Sequence, residues 1–233
     1  MAIGFAAIFS NKVISLLNEK TEINIALSGG NTPIELFKIL AEEYKNKIEW
    51  NKINFYWVDE RCVQPDSPES NFGNAEKFLF SMVDINRNNI HEIRGETGPA
   101  IEAERYSEWV KQNVSPVNGL PSFDIILLGV GEDGHTASIF PDQMDLLTSN
   151  KLYDVSIHPI SKQSRITMTG KLINNSKNIY FLVSGKGKSG VVNDILNGNE
   201  KAMQYPANYI KAENGELFWM VDKESTNLKN FIG

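Results

Sequence analysis

One histidine stands in an unusual setting. His135 closes the run Gly129-Val-Gly-Glu-Asp-Gly-His, which follows the apolar stretch Phe123–Leu128. A glycine-flanked histidine at the end of a buried strand is poorly placed for packing and well placed for chemistry. Neutral imidazole is the usual general base near neutral pH, and Asp133, two residues away, can orient its ring or hold substrate hydroxyls. Residues 129–134 also match Gly-x-Gly-x-x-Gly. That dinucleotide fingerprint needs a long helix to follow, and Pro141 leaves room for one or two turns only. A nicotinamide or flavin site is therefore not expected. No Gly-x-Ser-x-Gly elbow occurs, so a serine nucleophile has no support. Ser138 reads as a cap or packing residue in a short helix, and His91 and His158, without matching partners, read as incidental.

Three further segments carry groups suited to an anion. Ile25-Ala-Leu-Ser-Gly-Gly-Asn-Thr-Pro-Ile-Glu35 runs from a strand into a helix. Thr32 is expected to cap that helix, Pro33 fits its first turn, and Glu35 completes a Thr-x-x-Glu capping box. Ser28, Gly29, Gly30, Asn31 and Thr32 then offer free amides at the positive end of a helix dipole. No Gly-Lys-Ser/Thr follows, so this is not a Walker loop. Phe55-Tyr-Trp-Val-Asp-Glu-Arg61 sets three charged residues after a second strand. Arg61 suits a phosphate or carboxylate through paired charge-assisted hydrogen bonds, while Asp59 or Glu60 orients it or meets substrate hydroxyls. Arg165 opens Arg165-Ile-Thr-Met-Thr169, and Ser184-Gly-Lys-Gly-Lys-Ser189 supplies Lys186 or Lys188 as a point charge. Together these predict a local anion pocket. Cys62 has no adjacent histidine and reads as an inert small residue.

The elements that must position these groups alternate along the chain. Strands are expected at 23–27, 53–58, 123–128, 152–157, 165–169, 179–183 and 217–221. Helices are expected at 4–19, 33–44, 71–82, 99–113, 170–174 and 187–196, with a last one near 222–230. In the first helix Phe5, Ile8, Phe9, Val13, Leu16 and Leu17 are expected to face the core. Such alternation implies an α/β fold, three-layer α/β/α, with a largely parallel, Rossmann-like sheet. Ligands in such sheets sit at the carboxyl ends of the strands. The stretch 114–122 reads as a loop rather than a domain boundary, so 1–233 is taken as one domain. The 233 residues suffice for a full core. A single cysteine excludes an internal disulfide framework and a multi-cysteine zinc site. A net charge of -6 argues against bulk nucleic-acid or membrane binding. No apolar run reaches membrane-spanning length, and residues 1–9 lack the features of a secretory signal, so a cytoplasmic location is expected.

In order along the chain stand Ser28-Gly-Gly-Asn-Thr-Pro33, Asp59-Glu-Arg61, Ser70-Asn71, Gly131-Glu-Asp-Gly-His-Thr-Ala-Ser-Ile-Phe-Pro141, Arg165-Ile-Thr-Met-Thr169 and the glycine-lysine segment near 185–188. With these motifs the chain resembles the 6-phosphogluconolactonase family, in the superfamily that also holds glucosamine-6-phosphate deaminase. The resemblance implies hydrolysis of 6-phospho-D-glucono-1,5-lactone to 6-phosphogluconate in the oxidative pentose phosphate pathway. It implies no metal and no organic cofactor. His135 matches the family's catalytic base, Asp133 its active-site aspartate and Arg61 its arginine after the Asp-Glu pair. Arg165 and Lys188 match positions that bind phosphate in relatives. Two residues favour the lactonase over the deaminase. Phe140 stands where the deaminase carries a glutamate paired with its histidine, and Arg61 stands where the deaminase has tyrosine. The expected partner is a small sugar-phosphate lactone, with no nucleic acid and no membrane, handled by a monomer or weak homo-oligomer. The alternatives are the deaminase-type isomerase and a sugar-phosphate sensor.

Overall fold

Five of the apolar runs pair as one parallel sheet. A computed structural model of the chain describes residues 1–226. Helix α1 (Ala2–Glu19) leads into β1 (Ile23–Leu27), α2 (Asn31–Glu43) and β2 (Ile53–Trp57). Then come β3 (Asp59–Arg61), α3 (Asn71–Ala75), α4 (Pro99–Asn113), β4 (Pro116–Val117), β5 (Leu120–Pro121) and β6 (Ile125–Leu128). The chain continues through β7 (Tyr153–Ile157), β8 (Ser164–Met168), α5 (Gly170–Asn174), β9 (Asn178–Val183), α6 (Ser189–Leu196) and β10 (Glu216–Val221). The central sheet has the order β10-β9-β6-β1-β2, with every pairing parallel. Strands β6 and β9 are buried along their whole length, as expected of strands covered on both faces.

The sheet changes direction between β1 and β6. From β1 the chain crosses through α2 to β2 on one side; β6 adds on the other. At that switch point the loops after β1 and β6 splay apart and leave a crevice. Those are the loops that hold Ser28–Thr32 and Gly129–His135.

Strands β7 and β8 were expected in a largely parallel sheet. Instead they form a separate antiparallel sheet of order β3-β8-β7. Residues 59–61, expected as a loop, are the edge strand of that sheet, with Arg61 opposite Arg165 and Asp59 opposite Thr167. Charged residues give no apolar signal for a strand; the partner β8 makes it one. Val58 is the corner between the sheets: its N–H donates to Leu27 and its carbonyl accepts from Met168. The neighbouring Trp57 donates its N–H to the Tyr106 hydroxyl at 3.1 Å and accepts at its carbonyl from the Tyr153 hydroxyl at 2.8 Å. Two buried tyrosines, stacked edge-on at 4.8 Å, thus tie α4 and β7 to the end of β2.

Other differences are local. Gly30, not Thr32, is the N-cap of α2, at φ 98°, and no side chain caps that helix. The capping box fails because the Thr32 hydroxyl pairs instead with Ser184, at 2.9 Å. Ile8 in α1 is exposed, whereas Phe5, Phe9 and Val13 are buried. The helix expected at 71–82 divides into α3 and a wider π turn over Glu76–Phe80. Residues 114–122 form a tight hairpin, β4–β5, turning through Asn118 and Gly119, both left-handed. Of the helix expected near 222–230, residues 222–226 form a turn around the Asp222 carboxylate, and the rest lies outside the described residues.

Candidate active site

The loop after β6 is built around its glycines. The Gly131 N–H donates to the carbonyl of His135 at 2.8 Å, and Gly134 turns at φ 83°. This tight loop brings Asp133 Oδ1 to 2.6 Å from His135 Nδ1 and 3.2 Å from the His135 N–H. A carboxylate only accepts, so the proton of the neutral ring sits on Nδ1 and the lone pair on Nε2. Burial pushes the Asp133 carboxyl up, but the hydrogen bond and charge of His135 outweigh it and hold it below the usual carboxylate range. No helix follows. Residues 136–139 close a turn with a Thr136–Ile139 bridge, so Ser138 lies in a turn, not in the expected short helix.

A cleft of about 240 Å³ opens beside this pair. Ser28, Gly29, Gly30, Asn31, Thr32, Asp59, Arg61, His135, Arg165 and Lys188 all line it. Asp133 does not line it; it stands behind His135 as the ring's partner. Within the cleft these residues differ in what they leave free. The Ser28 hydroxyl is spent on the Leu127 carbonyl at 2.8 Å. The first-turn amides of α2 have no acceptors within their helix.

Arg61 and Arg165 are direct cross-strand neighbours on β3 and β8. Like charges in that relation repel. Arg61 donates Nη1 to the Glu69 carbonyl at 2.6 Å, and the Nε of each arginine is buried without a hydrogen-bond partner. Burial depresses the Arg165 guanidinium, the charge of Asp59 offsets part of that, and Arg61 adds to it. Two adjacent guanidinium groups with donors unspent are completed by an anion. Lys188 rather than Lys186 reaches the cleft, with its ammonium held by the Val130 carbonyl. Burial lowers its pKa, and Glu132 and Asp133 oppose that shift.

The two carboxylates after β2 have separate tasks. Glu60 is buried and faces away from the cleft. It accepts from the Arg61, Asn71 and Phe72 amides at 2.7–2.8 Å and from the Ser70 hydroxyl at 3.1 Å. It therefore anchors the start of α3; burial pushes its carboxyl up to about 7 against those amides. Asp59 lines the cleft, but its Oδ2 already accepts from the Ser138 hydroxyl at 2.6 Å. Cys62 is inert as expected, its thiol pushed up to about 11 chiefly by burial.

Of the lining residues not put forward as site residues, Asn71, Ser184 and Ala137 bear on the geometry. Asn71 donates to the Asp59 carbonyl at 2.8 Å and packs so closely on Gly29 that a Cβ there would lie 1.7 Å from its Oδ1. Ser184 and the left-handed Ala137 also line the cleft. Asn71 and Ser184 stood inside motifs noted in the sequence, but polar residues at the start of a helix or in a loop carry no signal of where they point. His91 is remote, packed between Tyr56 and Trp109. His158 is nearer than its sequence context suggested, since Phe140 lies between its ring and that of His135, at 5.2 and 4.8 Å.

A histidine held by a carboxylate, beside paired arginines at the switch point of a parallel sheet, fits an α/β enzyme that works on a small anionic substrate. Comparison with known proteins places it further. The family model for glucosamine-6-phosphate isomerases/6-phosphogluconolactonase matches residues 1–219. A 6-phosphogluconolactonase of Haemophilus influenzae is 43% identical over 207 residues, covering 88% of this chain and 87% of that protein. The solved 6-phosphogluconolactonase of Thermotoga maritima superposes with a TM-score of 0.82 at 30% identity, covering 94% of this chain and 95% of that one. A solved structure described as devB protein superposes at 0.90 with 40% identity, covering 97% and 94%. The chain belongs to the glucosamine-6-phosphate isomerase/6-phosphogluconolactonase family.

Proposed function

We propose that the chain hydrolyses 6-phospho-D-glucono-1,5-lactone to 6-phospho-D-gluconate, the lactonase step of the oxidative pentose phosphate pathway. The observation that carries this reading is His135, held by Asp133, lining a cleft with two cross-strand arginines whose Nε donors are unpartnered. His135 Nε2 takes a proton from water, which attacks C1 of the lactone. The carbonyl oxygen becomes an oxyanion, stabilised by amides of the glycine loops or by Arg61. The tetrahedral intermediate then expels the ring oxygen, and the imidazolium returns the proton to it. Asp133 holds the ring in the right tautomer and balances its transient charge. Arg165, Lys188 and the start of α2 bind phosphate and so orient the lactone rather than break its bond.

Phe140 supports the lactonase over the deaminase. It is fully buried against His135, so no carboxylate occupies the position that pairs with the histidine in the isomerising relatives. The groups invoked are drawn from along the chain, from Ser28 to Lys188, and line one cleft, which supports a single domain. A phosphorylated substrate does not cross a membrane unaided, which supports a cytoplasmic location. Among the described residues no helix is long and apolar enough to span a membrane.

The test generates the lactone in situ from glucose 6-phosphate and follows its loss with and without the protein, in EDTA. Acceleration over the uncatalysed rate is expected. No acceleration by folded protein, with ammonia released from glucosamine 6-phosphate, overturns the reading in favour of the isomerase.

A further inference from the structure

Ser138 is fully buried and lies three residues beyond the proposed base. Each of its polar groups is taken by a different strand of the antiparallel sheet. Its hydroxyl donates to Asp59 Oδ2 on β3 at 2.6 Å. Its N–H donates to Thr167 Oγ1 on β8 at 3.1 Å. Its carbonyl accepts from the Ser156 hydroxyl on β7 at 2.5 Å. The Thr167 hydroxyl sends its own proton to the Met168 carbonyl at 3.1 Å, which leaves its lone pair for Ser138. The Ser156 hydroxyl has one proton and two acceptors within reach, and gives it to the Ser138 carbonyl, nearer than Gln143 Oε1 at 3.1 Å.

The pairing of the strands gives this arrangement its significance. Asp59 lies opposite Thr167, while Arg61 lies opposite Arg165, which in turn lies opposite Ser156. Positions two apart on a strand share a face. One face of this sheet therefore presents both the arginine pair and the three groups that grip Ser138. Between His135 and Ser138 the chain passes through Ala137 at φ 49°. A non-glycine residue persists in that left-handed conformation only where its surroundings over-determine it, and the three bonds to Ser138 supply that restraint.

We propose that Ser138 is a positioning residue. It fastens the His135 loop to the strands that carry Arg61 and Arg165, and so sets the distance between the base and the anion-binding groups. Asp59 acts here as the acceptor of that fastening rather than as a ligand for substrate. The proposal rests on the lactonase reading for its kinetic consequence, but not for its structural one.

Two measurements on Ser138→Ala test it. In lactone hydrolysis, kcat falls about 10²-fold, the typical cost of an ångström of misplacement, with KM within about threefold because the arginines stay in place. In histidine-detected NMR, His91, one of the three histidines of the chain, acts as the internal control: the His135 ring signals shift or broaden while those of His91 do not. A residue that merely packs lowers the melting temperature and leaves both readouts unchanged, and that result overturns the proposal. If Ser138→Ala does not fold, Ser156→Ala removes the bond to the Ser138 carbonyl, together with the Ser156 contact to Gln143 Oε1 at 3.1 Å. It is expected to lower kcat several-fold and to move the same His135 signals; unchanged kcat and unchanged signals again overturn the proposal. If the wild-type protein hydrolyses no lactone, the lactonase reading fails, and the NMR comparison still decides whether Ser138 holds His135.

Discussion

Replacing Gly131 by alanine tests the proposed role of the His135–Asp133 pair without replacing either of its members. A Cβ at Gly131 would stand 2.1 Å from His135 Nδ1 and 2.5 Å from Asp133 Oδ1. Ordinary contact begins at 3.4 Å, so the imidazole must retreat by more than an ångström or the loop must open. The backbone at Gly131 is not left-handed, so alanine adds no conformational strain there, and the effect is a displacement of the base. Misplacement on that scale costs about 10²-fold in rate, which corresponds to about 2.7 kcal/mol of activation free energy. The expected result is a kcat lower by about that factor and a KM changed less than about threefold, since the cleft arginines do not move. The assay follows lactone loss against the uncatalysed background, with melting temperature measured in parallel. Gly4→Ala, in α1 with nothing within 4 Å of the added atom, serves as the control. It keeps kcat and adds about 0.5–1 kcal/mol of stability. A folded Gly131→Ala protein with wild-type kcat refutes the assignment of His135 as the base.

Three further outcomes are expected. His135→Ala lowers kcat by about 10²–10⁴-fold with little change in KM, and a variant of near-normal kcat would remove the general-base mechanism. Arg165→Ala raises KM about tenfold or more, consistent with loss of a charged hydrogen bond of about 1.5–3 kcal/mol. Because it also relieves repulsion with Arg61, it weakens the thermal stabilisation that added inorganic phosphate gives the wild type. Equal stabilisation of both proteins would place the anion elsewhere. His91 is pushed down to about 4 by burial. Between that value and the ordinary 6.5 the unfolded chain binds a proton that the native state does not. Stability therefore falls as pH drops from about 6.5 to 4, and His91→Phe should flatten that part of a urea-melt series; an unchanged slope would assign the loss to other groups.

Much of this molecule was legible in its residues. The apolar runs at 23–27, 53–57, 125–128 and 179–183 announce buried strands because a parallel sheet covered on both faces needs continuous apolar stretches, and the run at 217–221 forms the half-exposed edge strand β10. The glycines around His135 announce a tight loop because the backbone must turn where a side chain would collide, as at Gly131 and Gly134. The identities of the charged groups follow likewise, since nothing in a core accepts Asp59, Arg61 or Arg165 without a partner.

Other features arise only when distant segments meet. Asp59-Glu-Arg61 has no strand signal of its own and becomes a strand because β8 supplies its hydrogen bonds. Thr32 has every local attribute of an N-cap, yet its hydroxyl goes to Ser184, 152 residues away, and Gly30 takes the cap. Asp59 and Glu60 are adjacent in sequence, but the alternation of a strand sends one to the cleft and the other to the start of α3. Ser138 is an unremarkable serine until three strands converge on it. Residue type, spacing and periodicity are local properties of the chain, so they determine which chemistry is present and which segments form strands and helices. Distances between groups on separate strands depend on sheet register and crossover, which belong to the folded chain as a whole, and those distances bring a histidine and two arginines to one cleft.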